Sequence, residues 1–130
     1  MKKTIWLIDD DPIYQIIMKK IIHKSDLFST ISSFANGKSA IEALKVAIEE
    51  NNPSLPEIIL LDIEMPIMDG WGFMQEIALM DKSKLESVLI YISSSSIAVE
   101  DKEKAKCNSS ILGYMSKPVK LEDLIAIATT

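Results

Sequence analysis

Ile58-Ile59-Leu60-Leu61-Asp62, followed by Ile63-Glu64-Met65-Pro66-Ile67-Met68-Asp69-Gly70, decides how this 130-residue chain folds. Four apolar residues lie between Pro56 and the turn signals Met65-Pro66 and Asp69-Gly70. They predict a fully buried strand, Glu57 to Leu61. A strand apolar on both faces belongs in a parallel sheet covered on both sides. Asp62 ends it, where an acid is costly to bury. In open α/β sheets the carboxyl ends of the strands are where ligands and chemistry collect. Asp62 is therefore the first candidate functional residue.

Outward from that strand, short apolar runs alternate with helical stretches. Thr4 to Ile8 reads as strand 1. Asp11-Pro12 reads as a helix start, with Asp at the N-cap and Pro at the first helical position. Helix 1 then runs to about Ser25. Ile13, Ile16, Ile17 and Ile21 are expected on one face of it, and Tyr14, Met18 and Ile22 widen that face beyond the needs of a one-sided helix. Residues 29–34 make a weak strand 2. Asn36-Gly37 turns the chain into helix 2, which reaches about Glu50 with Ile41, Leu44 and Ile48 inward, and a loop follows from Asn51 to Pro56. Helix 3 runs from near Gly70-Trp71 to near Met80. Val88 to Ile92 is strand 4, and Ser93 to Ser96 follow it. Glu100 to Lys106 is a strongly charged helix 4. Leu112 to Met115 is strand 5, closed by Lys117-Pro118, and helix 5 begins near Leu121 and reaches the C-terminus. Repeated strand–helix units with right-handed crossovers give a doubly wound parallel sheet with helices on both faces.

The totals exclude several classes. One domain accounts for the length. A net charge of −5 argues against a general nucleic-acid surface. The single cysteine, Cys107, has no internal partner for a disulfide. With no signal-peptide pattern, this favours a reducing cytoplasm. No apolar run reaches membrane-spanning length.

In a parallel sheet, everything that directly follows a strand shares one edge. Asp9, Asp10 and Asp11 follow strand 1, Asp62 follows strand 3, the serines follow strand 4 and Lys117 follows strand 5. Asp11 is accounted for as the helix cap. Asp9, Asp10 and Asp62 would repel one another and raise one another's pKa values. A hard divalent cation such as Mg²⁺ relieves this, binding one or two carboxylates and keeping positions for water and phosphate. Lys117, aimed into an acidic pocket, can pair with a carboxylate or a phosphoryl oxygen. A hydroxyl from Ser93, Ser94, Ser95 or Ser96 can hydrogen-bond the same group.

Ile8-Asp9-Asp10-Asp11-Pro12, Leu61-Asp62 through Asp69-Gly70, and Gly113-Tyr114-Met115-Ser116-Lys117-Pro118, in that order, resemble the receiver domain of bacterial response regulators. The resemblance covers essentially the whole chain, 1–130, as a single receiver domain, standing alone or as part of something longer. It implies a flavodoxin-like, CheY-like fold: a five-stranded parallel sheet in order 2-1-3-4-5 with five flanking helices. It implies that Asp62 takes a phosphoryl group from the phosphohistidine of a sensor histidine kinase or phosphotransfer protein. Asp10, Asp62 and the backbone carbonyl of Glu64 would bind Mg²⁺ directly, and Asp9 through water. Lys117 would contact the phosphoryl group. The switch hydroxyl is Ser94 when the run Ser-Ser-Ser-Ile is matched, whereas counting from the strand start picks Ser93. Tyr114 occupies the position of the switch aromatic, and the readout face is helix 4, strand 5 and helix 5. Such a protein is a phosphoacceptor that assists its own phosphorylation and dephosphorylation rather than an ordinary enzyme. Neither nucleic acid nor membrane is a direct partner.

Rival readings fit less of the chain. A haloacid-dehalogenase-type phosphatase would use Asp9-x-Asp11, but it needs a larger cap-bearing domain and leaves Asp62 over. A pseudo-receiver would not retain Asp10, Asp62 and Lys117 together. A flavodoxin-like electron carrier needs a phosphate-cradling loop after strand 1. His23 has no metal-ligand spacing and reads as a surface or helix-end residue. Tyr14, Met18 and Ile22 suit a partner face or ordinary core equally well. Helix 4, poor in apolar anchors, is expected to pack loosely.

Overall fold

A computed structural model describes residues 2–50, 55–95 and 98–129. Part of the loop expected after helix 2, 51–54, lies outside the described residues, as do Ser96 and Thr130. The elements run β1 (Lys3–Ile8), α1 (Pro12–Ser25), β2 (Phe28–Phe34), α2 (Gly37–Glu49), β3 (Ile58–Leu61), α3 (Gly70–Ala78), a 3₁₀ turn (Lys82–Lys84), β4 (Leu89–Ser94), α4 (Val99–Cys107), β5 (Ile111–Ser116) and α5 (Leu121–Ala128). All strand pairs are parallel and the order is β2-β1-β3-β4-β5, as expected. The short 3₁₀ turn has no apolar periodicity to announce it in the sequence.

The sheet separates two cores. β3 feeds both: Ile58 and Leu60 point to the side of Met18, Ile22 and Leu124 from α1 and α5. Ile59 and Leu61 point to the side of Ile41, Leu44 and Phe73 from α2 and α3. All four β3 residues are fully buried, which is why the strand shows no alternation.

Helix α1 corrects one expectation. Its buried residues are Met18 and Ile22, with Tyr14 and Ile21 packed beside them. Ile13, Ile16 and Ile17 are exposed. The helix carries apolar residues around most of its circumference, so periodicity alone does not orient it. The start is as read: the Asp11 carboxylate accepts the N–H groups of Ile13 and Tyr14.

The register sets the working edge. Ile8, Leu61 and Ile92 lie side by side across β1, β3 and β4, and Ile92 pairs with Tyr114 of β5. Asp9, Asp62 and Ser93 are each one residue further along. Packing then clamps the loop after β3. Gly37 N–H donates to the Met68 carbonyl at 3.0 Å, and Gly70 N–H to the Ile63 carbonyl at 2.8 Å. A Cβ on Gly70 would lie 2.5 Å from the Asp62 carbonyl oxygen, so only glycine fits there.

Candidate functional site

The backbone places the acids before any side chain acts. Asp9 N–H donates to the Phe34 carbonyl at 3.0 Å, and Asp62 N–H to the Ile8 carbonyl at 2.9 Å. The strand ladders thus continue one residue past the apolar row. Gln15 of α1 reaches back and donates to the carbonyls of Asp9 and Phe34, at 2.6 and 2.9 Å. Asp9 is 1% exposed and Asp62 5%, whereas Asp10 faces solvent. One carboxylate oxygen from each of the three falls within 4.8 Å of the others.

Lys117 closes the cluster. Its Nζ lies 2.5 Å from Asp9 Oδ2 and 3.4 Å from Asp62 Oδ2. The first contact is a close ion pair with a fully buried carboxylate oxygen. Asp9 Oδ1 is occupied by the Asp11 N–H at 2.9 Å. The Lys117 backbone N–H donates to the Ser94 carbonyl at 3.0 Å, and the Lys117-Pro118 peptide is cis.

The electrostatics follow from burial. Desolvation pushes the Asp62 carboxyl up to about 6, against the pull of Lys117 and with a push from Asp9. Burial alone would lower the pKa of Lys117, but Asp9 and Asp62 together hold it above the ordinary lysine value. Asp62 is therefore a carboxylate of raised basicity beside a fixed ammonium.

The loop after β3 is drawn tight. Met68 N–H donates to the Pro66 carbonyl at 2.7 Å, around Ile67 at φ 68°. A β-branched residue in the left-handed region carries backbone strain. Its side chain is exposed, while Met65 is buried and anchors the loop. Glu64 sits on this loop two residues past Asp62 with its side chain in solvent.

Ser93 and Ser94 are both buried, each 1% exposed, and Ser95 is exposed. Strand alternation sends them to opposite faces. Ser94 has the parity of Ile90 and Ile92, on the side where Tyr114 packs. Ser93 has the parity of Tyr91, and its hydroxyl hydrogen-bonds that of Tyr14. The fold thus gathers Asp9, Asp10, Asp62 and Lys117, with the two serines at the rim.

Sequence reasoning misses Tyr14 as a site residue, yet the Lys117 ammonium stands 4.5 Å from its ring centroid. Its place in the first turn after the Asp11 cap, at the working edge, is the signal that points to it. Nothing in the sequence marks Gln15.

The donor set suits a hard cation. Three carboxylates converge within 4.8 Å of one another, and Asp10 is open to water. Oxygen ligands with room for water and phosphate are what Mg²⁺ takes.

Residues 5–129 match the family described as response regulator receiver domain. The chain is 34% identical over 118 residues to the probable C4-dicarboxylate response regulator DctR of Bacillus subtilis (strain 168), covering 89% of this chain and 46% of that protein. It is 30% identical over 120 residues to the sensor histidine kinase CheAY of Helicobacter pylori (strain ATCC 700392 / 26695), covering 92% of this chain and 14% of that protein. It thus spans less than half the length of either. Among solved structures, a two component response regulator from Cytophaga hutchinsonii superposes with a TM-score of 0.90 at 27% identity, over 99% of this chain and 96% of that one.

Proposed function

This chain belongs to the response regulator receiver domain family, and from that premise we propose that Asp62 is the phosphoacceptor of its phosphorylation switch. Receiver domains are the phosphorylated signalling modules of two-component systems. The observation that carries the assignment is the position of Asp62. It is buried at a strand end, 3.4 Å from the Lys117 ammonium and clustered with Asp9 and Asp10.

A carboxylate oxygen of Asp62 attacks phosphorus, the new O–P bond forms, and the P–N bond of a phosphohistidine breaks with the electron pair leaving on the imidazole. Burial raises the basicity of that oxygen, and Lys117 offsets charge on the transferring group. Asp10, Asp62 and the Glu64 backbone carbonyl would hold Mg²⁺, with Asp9 acting through a bound water. The bound cation would supply positive charge to the phosphoryl oxygens. The same groups let the domain assist both its own phosphorylation and its dephosphorylation.

Ser94 is the switch hydroxyl in this reading. It shares a sheet face with Tyr114, whereas Ser93 is engaged with Tyr14 on the other. Drawing Ser94 toward a phosphoryl group vacates space on the Tyr114 side and alters the α4–β5–α5 face. The donor is a sensor histidine kinase or phosphotransfer protein in the cytoplasm. The exposed Ile13, Ile16 and Ile17 of α1 offer it an apolar docking edge next to the site.

Incubation with Mg²⁺ and acetyl phosphate tests the central claim by intact mass. A one-phosphoryl increase is expected on the wild type and none on Asp62→Ala. No adduct on the wild type, or an undiminished one on the variant, sinks it.

A further inference from the structure

We propose that Tyr14 is a positioning residue for phosphoryl transfer, holding the Lys117 ammonium against the acidic cluster through its ring face. The inference rests on the reading of Lys117 as the phosphoryl contact.

Lysine is a point charge on a flexible four-carbon stem, and something must aim it. Asp9 and Asp62 hold it in the resting protein, at 2.5 and 3.4 Å. Both are drawn into the reaction. Asp62 becomes an acyl phosphate, and Asp9 would serve the bound cation through a water. Among the described residues, the partner that stays the same is the Tyr14 ring, 4.5 Å from the ammonium. An aromatic face attracts a cation without being a charge, and more strongly where water is excluded. The Lys117 side chain is 15% exposed, so the contact is largely dry.

Tyr14 is itself fixed. Its backbone N–H is taken by the Asp11 cap. Its hydroxyl accepts the N–H of buried Val119 at 3.3 Å, just past the Lys117-Pro118 peptide, and hydrogen-bonds Ser93. The phenol therefore ties α1, the end of β4 and the loop after β5 together around the lysine. The ring lets the ammonium move from carboxylate to phosphoryl oxygen without leaving the site.

The test is single-turnover phosphorylation of the intact chain by acetyl phosphate at saturating Mg²⁺, with a thermal melt of every variant. Tyr14→Leu should slow the reaction by roughly 3- to 30-fold, the range of one partly desolvated cation–π contact. Tyr14→Met, unbranched and of similar bulk, should do the same and replaces Leu if that variant is poorly folded. Tyr14→Phe keeps the ring but loses the hydroxyl that fixes it, and should slow the reaction less than Leu or Met does. In a Lys117→Gln background the loss of the ring should add no further slowing. Equal slowing by Phe, Leu and Met overturns the proposal, as does a wild-type rate in Leu and Met. A full additional loss in the Lys117→Gln background also overturns it. A Lys117→Gln chain that reacts like wild type overturns the role of Lys117 first, and this inference with it.

Discussion

Helices α3 and α4 are each nine residues long and flank the sheet on the same side, yet they are built in opposite ways. α3 buries Gly70, Phe73, Met74 and Ile77, and its Asp69 cap accepts the Gly72 N–H at 2.8 Å. α4 buries only Ala105, and its N-cap position is Ala98, which has no side-chain oxygen to offer. α3 follows directly from the Asp62 loop and holds it still. α4 follows the serine run and is covered in charge. The contrast teaches how one fold divides rigidity: a site needs fixed geometry, and a responsive face needs an element with little packing to lose. The expected loose packing of α4 agrees with this burial pattern. It is tied to α3 at one aromatic: Trp71 Nε1 donates to Asp101 at 3.2 Å, and the Lys104 ammonium sits 5.4 Å from the same ring.

The contrast can be broken most forcefully in α3. Phe73 is fully buried. Phe73→Ala should cost about 3–5 kcal/mol in urea unfolding. A loss below about 1 kcal/mol, the size expected for an exposed α4 position, would mean that the two helices are not differently anchored.

The charge that the α3 loop pins down is the next lever. The Asp62 carboxyl is raised from 3.8 to about 6, so the folded state binds that proton more tightly than the unfolded state does. Its contribution is fully present below about pH 4 and is lost as pH rises through about 6. Without divalent cation, Asp62→Asn should therefore stabilise the protein at pH 7 by about 1–2 kcal/mol, after allowing for solvent screening, and have little effect at pH 4. Added Mg²⁺ should narrow the gap by stabilising the wild type. A gap that stays the same from pH 4 to pH 7 would contradict the burial argument.

The smallest change sharpens the comparison at its join. Trp71→Phe removes the indole N–H but keeps a ring. Amide exchange in α4 should rise by roughly two- to fivefold, the worth of one part-buried hydrogen bond, with α3 unchanged. Equal acceleration in both helices would show that Trp71 supports α3 rather than tethering α4.

Much of this was legible in the residues. Alternating apolar runs and helix caps gave five strands and five helices, with boundaries shifted by a residue or two at most ends. The order of acids, serines and lysine at strand ends was enough to place Asp9, Asp10, Asp62 and Lys117 on one edge. The orientation of α1 was not legible. Ile13, Ile16 and Ile17 are as apolar as Met18 and Ile22, and only packing against β1 and β3 selects which stripe is buried. The partner of the lysine was hidden for a related reason. Tyr14 and Lys117 are far apart in the chain, and no spacing rule connects them.

By itself the sequence determined the layer architecture, the strand-end cluster and the acid that ends the buried strand. Those depend on local period and on which residue types follow each strand, and both are written along the chain. Tertiary structure alone decided which face of α1 turns inward, which of two adjacent serines shares a side with Tyr114, and which ring meets the lysine. Each of those is a choice between chemically similar alternatives, and only the filling of a common volume from several elements distinguishes them.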